Sequence, residues 1–434
     1  MITGSVAAII AIAILFTLVA LHVPIGVAMG LIGVIGFGLM TTFSAGLSIL
    51  ATEAGGIMTN FNISIIPLFL LMGAFTASSG MADDLFRIAY ALIGHRRGGL
   101  ASANILGCGV FGAIAGSAPA TTATFTRISI PQMEKHGYDR GFAAGSVAAG
   151  GTLGVMIPPS VIMAIYALMT EQFVIDLFIA SVIPGLLAIV FYFIAISWVS
   201  SRNPDLAPAG EKLSRTERIA AFKNGWAVIL LFSLVTIGIY SGIFTIVEAA
   251  ALGALLSFIF ALIQRRMTMA QFWQALMQTA ATSAMIYISI IGASVFATFL
   301  GLTQAATEMI HWIEALGLPS MGIILAFVLL YLVLGALFDE VAAMLLTLPV
   351  VFPVVTGLGY DPIWWGVINV VVINLGMITP PVGLNVFIIN GIRTDIGLSN
   401  IYRGVMPFII ADFVRLGLLI AVPGLSLWLL QAIR

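Results

Sequence analysis

The sequence predicts an all-α polytopic membrane protein built from two inverted repeats, each with a re-entrant hairpin and a broken helix. Three observations lead to this fold class. First, only 8% of the 434 residues are charged and 61% are hydrophobic, whereas a typical soluble domain is about 25% charged. Second, the mean hydropathy is +1.15, and apolar windows of about 20 residues, enough for a ~30 Å hydrocarbon core, recur along the chain. Third, "GGTLGVMIPPSV" (150–161) and "NLGMITPPVGLN" (374–385) interrupt apolar helix with glycines and a proline pair in matching places. No soluble domain fits between the spans. The single cysteine, Cys108, excludes an intramolecular disulfide and a Cys-based metal cluster. The net charge of −1 points to no partner class.

The first apolar segment, "SVAAIIAIAILFTLVAL", lacks a basic leader and runs straight into another span, so it reads as a retained helix. Spans over 4–22, 24–40 and 62–80 bring the chain to the basic "GHRRGG" at 94–99. A hairpin at 100–131, a broken helix at 140–170 and one further crossing complete a first repeat over 1–200. The polar stretch 201–225 is a linker with several Lys and Arg. A second repeat, 226–434, has spans at 226–242 and 244–263, "QRR" at 264–266, a hairpin at 320–353 and a broken helix at 362–390. Short Lys/Arg-rich loops face the cytoplasm. Every basic cluster then agrees on one topology, with the linker cytoplasmic and both termini periplasmic. Segments 81–97 and 303–316 are amphipathic and precede the two hairpins symmetrically. They read as interfacial arms, or alternatively as docking faces for a partner helix.

The two broken helices belong to a duplicated unit. Pro131, Gly137-Tyr138-Asp139, Gly154 and Pro158-Pro159 reappear as Pro353, Gly359-Tyr360-Asp361, Gly376 and Pro380-Pro381, each 222 residues later (359 − 137, for example). The topology places Asp139 inside and Asp361 outside, so the units run in opposite directions. Inverted repeats with discontinuous helices are the architecture of secondary transporters.

Proline removes a backbone donor and clashes with the preceding turn. The groups it frees are costly in lipid unless they line a cavity or bind something. Half-helix N-termini favour anions, and unwound carbonyls favour cations such as Na⁺. A pair of buried proline kinks is the bland reading, and two in register within an inverted repeat count against it. The first hairpin turns at Gly116-Ser117-Ala118-Pro119, and its arms of about 15 residues are too short to span. Its tip is rich in hydroxyls, for which bonding to the preceding helical turn is the competing role. The second turns near Gly335 to Glu340 and carries Asp339 and Glu340 at membrane depth, where a carboxylate is usually functional. Capping of the following helix competes as the role of Asp339. Glu248 is a lone carboxylate early in a span, more often structural than part of an ion path. The four histidines show no metal-ligand spacing.

"HVPIGVAMGL", "IPLFLLMGAF", "FGAIAGSAPATTAT", "GTLGVMIPPS" and "GYDPIWWGVINVVVINLGMITPPVGLNVF" resemble, in order and over almost the whole chain, a known family. It is the large, DctM-like membrane subunit of tripartite ATP-independent periplasmic (TRAP) transporters. Around Glu248 the family's usual Thr-Pro-Thr-Glu-Ala-Ala reads "TIVEAA" here, and Asn374 and Glu340 fall where the pattern varies. The resemblance implies a Na⁺-driven importer of organic acids, elevator-type and similar to the ion transporter superfamily, in the bacterial inner membrane. The implied partners are a small four-helix membrane subunit, a periplasmic substrate-binding protein and membrane lipid, without nucleic acid. It further implies two or more coupling Na⁺ ions. One would lie among Gly116, Ser117, Ala118, Thr121, Gly151 and Gly154, and the second among Gly335, Asp339, Gly376, Met377 and Thr379. Pro119, Thr122, Pro158, Pro159, Ser160, Pro380, Pro381 and Asn385 would border the substrate. A stand-alone Na⁺- or H⁺-coupled carboxylate carrier of the same architecture is the alternative. An intramembrane enzyme is disfavoured because no metal-ligand cluster or nucleophile–base pair is evident, and a channel because the repeats invert.

Overall fold

The computed structural model describes residues 4–315, 317 and 319–433. Met1, Leu316 and Arg434, on which the terminus and second-arm expectations touch, lie outside them. The first repeat comprises α1 (Gly4–Ala20), α2 (Ile25–Met40), α3 (Phe43–Thr59), α4 (Ile65–Ser78) and α5 (Met81–Ile93). It continues with α6 (Gly99–Ala115), α7 (Ala118–Lys135), α8 (Arg140–Met156), α9 (Val161–Met169) and α10 (Val174–Arg202). A linker helix, α11 (Arg215–Asn224), follows. The second repeat comprises α12 (Trp226–Tyr240), α13 (Ile246–Ile263), α14 (Met269–Thr303), α15 (Ala305–Ala315), α16 (Ser320–Leu337) and α17 (Glu340–Gly357). It closes with α18 (Pro362–Gly376), α19 (Leu384–Ile392), α20 (Leu398–Ala421) and α21 (Gly424–Ile433).

The offset of 222 extends to the secondary structure of both repeats. α7 maps end for end onto α17, and α1, α2, α5, α6, α8, α9 and α10 fall on α12, α13, α15, α16, α18, α19 and α20 to within a few residues. The α3–α4 pair corresponds to the 35-residue α14. α3 is the element the hydropathy reading passed over, because Ser, Thr, Glu53 and paired glycines dilute its apolar character. Each repeat crosses the bilayer once with its first helix, once with its second, once with the α3–α4 or α14 unit, once with the broken helix and once with its last long helix. A re-entrant hairpin adds no net crossing, and an odd number of crossings inverts the second repeat relative to the first.

The hairpin arms are longer than expected, at 17 residues for α6 and 18 each for α7, α16 and α17. Prolines 131, 349 and 353 lie inside them without ending them.

The two repeats interlock. α2 packs on α14 and α4 on α13, forming one bundle, while α8 packs on α20 and both hairpins pack on broken helices, forming another. Lipid supplies no hydrophobic drive between helices, so close approach through small residues does this work. A Cβ on Gly292 would sit 1.9 Å from the Gly26 carbonyl oxygen, and one on Gly404 would sit 1.8 Å from that of Gly141. Large apolar side chains such as Ile9, Leu39, Ile237, Met277 and Leu329 are exposed on the outer faces, where hydrocarbon is their natural solvent.

The linker is more than a tether. Ser214 and Glu217 form a capping box that starts α11. The Gly98 N–H donates to Ala207 O at 3.0 Å and the Asp139 N–H to Leu206 O at 3.1 Å, strapping the linker across the base of the first hairpin.

Candidate ion and substrate site at the hairpin tips and helix breaks

In the first repeat the turn needs a left-handed residue, and Gly116 supplies it with φ +63°. Ser117 then caps α7, its Oγ accepting the Ala120 N–H at 3.4 Å, and Thr121 Oγ1 donates to Ser117 O at 2.8 Å. Gly154 of α8 faces this tip: a Cβ there would lie 2.8 Å from Thr121 Oγ1 and 3.1 Å from Ser117 O. Only a glycine leaves that oxygen-lined space open. Pro158 and Pro159 stand four residues after Gly154 and Val155, where helical N–H donors would otherwise be, so those two carbonyls have no backbone donor among the described residues. A hard cation seeking oxygen ligands fits this set: a backbone carbonyl, a hydroxyl and two released carbonyls close by.

One turn away, Gly151 is flanked by unpartnered oxygens. A Cβ on Gly151 would lie 1.9 Å from Thr122 Oγ1 and 3.2 Å from Asn385 Nδ2. Asn385 Nδ2 donates to Ala148 O at 3.2 Å, while Asn385 Oδ1 and Thr122 Oγ1 are buried with no partner. Asn385 belongs to the second repeat, so α19 reaches into the first repeat's site. The sequence reading had assigned Gly151 to a cation and Thr122 and Asn385 to substrate; the structure makes all three neighbours.

The second repeat follows the same plan with differences. Its turn lies at Phe338 and Asp339, and Gly335 is inside α16, where a Cβ would meet Ile373 O at 2.4 Å. Gly376 closes the contact from α18, a Cβ there falling 2.7 Å from the Gly335 carbonyl carbon. Asp339 is half-buried and caps α17, its Oδ1 accepting the Val341 and Ala342 N–H groups at 3.0 Å each. The carbonyls of this break are taken: Thr379 N–H donates to Gly376 O at 2.9 Å and Asn385 N–H to Met377 O at 3.0 Å. Thr379 Oγ1 donates to Leu375 O at 2.6 Å.

Gly335, expected in the hairpin turn, lies on α16, and Gly151, Gly154 and Gly376, expected at the helix breaks, also lie on helix; the broken helices leave helical form only at Ile157 and Met377. The reason is the reach of the helical hydrogen bond. A proline withholds its donor from the carbonyl a turn upstream, while the residues between keep helical dihedrals. Both proline pairs join through cis peptide bonds. Pro158, Pro159 and Ser160 are buried, Ser160 Oγ capping α9, whereas Pro380 and Pro381 are exposed. Pro119 is the second residue of α7 and half-buried.

The hairpin tips touch. The Ala118 N–H donates to Glu340 Oε1 at 3.4 Å, and these positions are 222 apart, so the approximate two-fold axis runs through this contact. Glu340 Oε2 is buried without a partner. Glu248 has no place at the site. It is exposed, and its Oε2 accepts from the backbone N–H and the hydroxyl of Thr245, both at 2.8 Å, in a capping box.

Two charge clusters hold the surrounding helices. Arg393 bridges Glu134 at 2.8 Å and Asp395 at 2.7 Å, with Arg140 on Glu134 at 3.2 Å, tying the ends of α7, α8 and α19 together. The hydrogen bond from Arg393 holds the exposed Asp395 carboxyl down at about 2. In the interior, Arg415 pairs with Asp412 at 2.9 Å, both fully buried. Tyr192 OH donates to Asp412 Oδ2 at 2.6 Å and shares a hydrogen bond with Thr152 Oγ1 at 3.0 Å. This chain ends between Gly151 and Gly154, and sequence reasoning missed it. The available signal was an acid and a base three apart in an apolar span.

A cavity of about 580 Å³ lies between α7 of the first hairpin and the α4 and α14 walls, reaching from Ser117 past Ala120 and Thr124 to Arg127, while α6 packs directly on α4 where Gly73 meets the Ala115 backbone. Its counterpart of about 530 Å³ lies between α14, α15 and Leu348 to Pro353 of α17, and Asp339 is not among its lining residues. The first of these cavities reaches both Ser117 at the first hairpin tip and Asp83 of α5.

The family model of the tripartite ATP-independent periplasmic transporter DctM component matches residues 12–425. The C4-dicarboxylate TRAP transporter large permease protein DctM of Pseudomonas aeruginosa is 37% identical over 85% of this chain and 86% of its own length. The Vibrio cholerae protein of the same description is 33% identical over 96% of this chain and 97% of its own. The sialic acid TRAP transporter large permease protein SiaM of Vibrio cholerae is 29% identical over 90% and 91%. The crystal structure of the Alcanivorax borkumensis YdaH transporter shares the fold, with a TM-score of 0.60 at 16% identity, covering 87% of this chain and 88% of that one. Matched by the family model over residues 12–425 and by these permeases over most of its length, the chain belongs to the DctM component family of tripartite ATP-independent periplasmic transporters.

Proposed function

We propose that this chain is the large permease of a Na⁺-coupled importer of organic acid anions in a bacterial inner membrane. It works with a small four-helix membrane subunit and with a periplasmic binding protein that delivers the substrate. The observation that carries the reading is the oxygen-lined gap at Gly154, between Ser117 O, Thr121 Oγ1 and the carbonyls that Pro158 and Pro159 release. Its oxygens suit an alkali cation; at the related place in the second repeat the carbonyls of the break are taken, and the Asp339 carboxylate is the oxygen group offered to a second ion. The substrate carboxylate is held beside them, where the N-termini of α7 and α9 present positive helix ends.

The hairpins grip the broken helices backbone to backbone, while cavities open between α7 and the α4–α14 wall and between part of α17 and α14, so that the first hairpin meets α4 closely through α6, at Gly73 against Ala115. Hairpins and broken helices therefore move together against a scaffold of α1 to α4 and α12 to α14, as an elevator. The Lys/Arg-rich linker supports a cytoplasmic position for itself and for the 580 Å³ cavity, and on this reading the conformation faces inward.

Reconstitution into liposomes tests the reading. Uptake requires the small subunit and a substrate-loaded binding protein outside, and the chain alone transports poorly. Robust uptake of free substrate by the isolated chain would instead establish a stand-alone carrier.

A further inference from the structure

We propose that Arg127, with Thr124, Thr279 and Thr282, forms a waypoint for the carboxylate of the departing substrate. It is a second site in the 580 Å³ cavity, separate from the one between the hairpin tips, and it rests on the transport reading above. Ala120, Thr124 and Arg127 follow one another at four- and three-residue spacing, so they form one stripe of α7 leading down from Ser117. Ten residues of helix put Arg127 about 15 Å from Ser117 along the axis. Arg127 is exposed and has no ion pair or hydrogen bond among the described residues.

The opposite wall is polar too. α14 contributes Thr279 and Thr282, and Thr279 Oγ1 is buried with no partner although the side chain lines the cavity. The α4 wall carries Ala74 and Ala77, whose small side chains leave room for a small acid, and Asp83 of α5 also lines the cavity, a like charge that keeps an anion's stay short.

A guanidinium presents a planar fork that matches a carboxylate. Low-dielectric cavity walls focus its field toward the tip from which an anion leaves. Such an exposed cation binds weakly, which suits a site the substrate must also leave. The two walls belong to different bodies, α7 to a moving hairpin and α14 to the scaffold. The site therefore exists in this open conformation and comes apart when the hairpin shifts.

The test uses the complete transporter complex with Cys108→Ala and Ala123→Cys, which puts a reporter thiol one turn from Arg127 in the cavity wall. An impermeant maleimide is applied from the face bearing α5, with succinate or sialic acid as the carboxylate and dimethyl succinate as the uncharged control. At least one carboxylate slows labelling and the ester does not. Arg127→Gln removes the protection and lowers maximal uptake about fivefold, the scale of an exposed ion pair, with the Na⁺ half-saturation unchanged. Arg127→Lys restores part of both. Equal protection in Arg127→Gln overturns the proposal, as does absence of protection by either carboxylate in a complex that transports. A complex that takes up neither acid contradicts the transport reading instead.

Discussion

Gly112→Ala adds one methyl group where the first hairpin meets the first broken helix. The new Cβ would stand 2.1 Å from Gly154 Cα and 2.8 Å from Gly154 N. Carbon atoms rest about 3.5–4.0 Å apart, and both obstructing atoms are backbone, so no side chain can rotate away. α6 and α8 must part by more than about 1 Å, against a tolerance near 0.5 Å for a preorganised site. That movement draws Gly154 away from Ser117 O and Thr121 Oγ1. Overpacking costs about 1–3 kcal/mol, a factor of roughly 5–150 if it falls on ion binding. The Na⁺ concentration for half-maximal uptake is expected to rise at least about fivefold, with the protein still inserted and still bound to its small subunit. Gly56→Ala is the control: nothing lies within 4 Å of a Cβ there. Alanine in a helix interior gains about 0.5–1 kcal/mol over glycine, so Gly56→Ala keeps the wild-type Na⁺ response and melts no lower. A wild-type Na⁺ response in Gly112→Ala would refute the reasoning, because the ion gap would then not depend on this backbone contact.

Other outcomes follow from the charges. Asp412→Ala leaves Arg415 buried without its counter-ion and should cost about 3–5 kcal/mol; adding Arg415→Met should recover much of it, read as the melting temperature of the purified protein. Arg393→Ala removes the partner that depresses Asp395 to about 2. A depressed carboxylate contributes stability above its unfolded value, about 3.9, and loses it only as pH falls through the folded value. The stability difference between Arg393→Ala and wild type is thus flat from pH 5 to 9, and a difference that halves across that window contradicts the assignment. Reporter fusions in the 201–225 linker and after Arg434 should report opposite sides of the membrane; the same side for both would break the inversion, because the offset of 222 would then join parallel units.

Much of this was legible in the chain, for definite reasons. The offset of 222 could be read because glycine and proline carry backbone geometry that few residues replace, so Gly154, Pro158 and Pro159 persist in Gly376, Pro380 and Pro381. The tips at Ser117 and Asp339 could be read because capping demands small polar residues there. Side-chain pairing across repeats could not. Asn385 beside Thr122, Ala118 against Glu340 and Tyr192 on Asp412 join positions 220 or more apart, and they depend on how the helices cross. The capping role weighed for Asp339 is the one its hydrogen bonds show, but the occupied carbonyls of the second break were hidden. They depend on which N–H groups a short turn presents, and both repeats carry the same proline pair.

The account stands on sodium entering the gap at Gly154 and its counterpart near Asp339. Uptake by the complete reconstituted transporter, measured against Na⁺ concentration with the membrane potential clamped and again with a proton gradient alone, tests it most directly. Ser117→Ala loosens the first tip, and Asp339→Asn keeps the cap, since Asn caps as well as Asp, while removing its charge. Both variants should need more Na⁺ for half-maximal uptake, and the proton gradient alone should drive none. Uptake on a proton gradient without Na⁺, with both variants keeping the wild-type Na⁺ response, would contradict it.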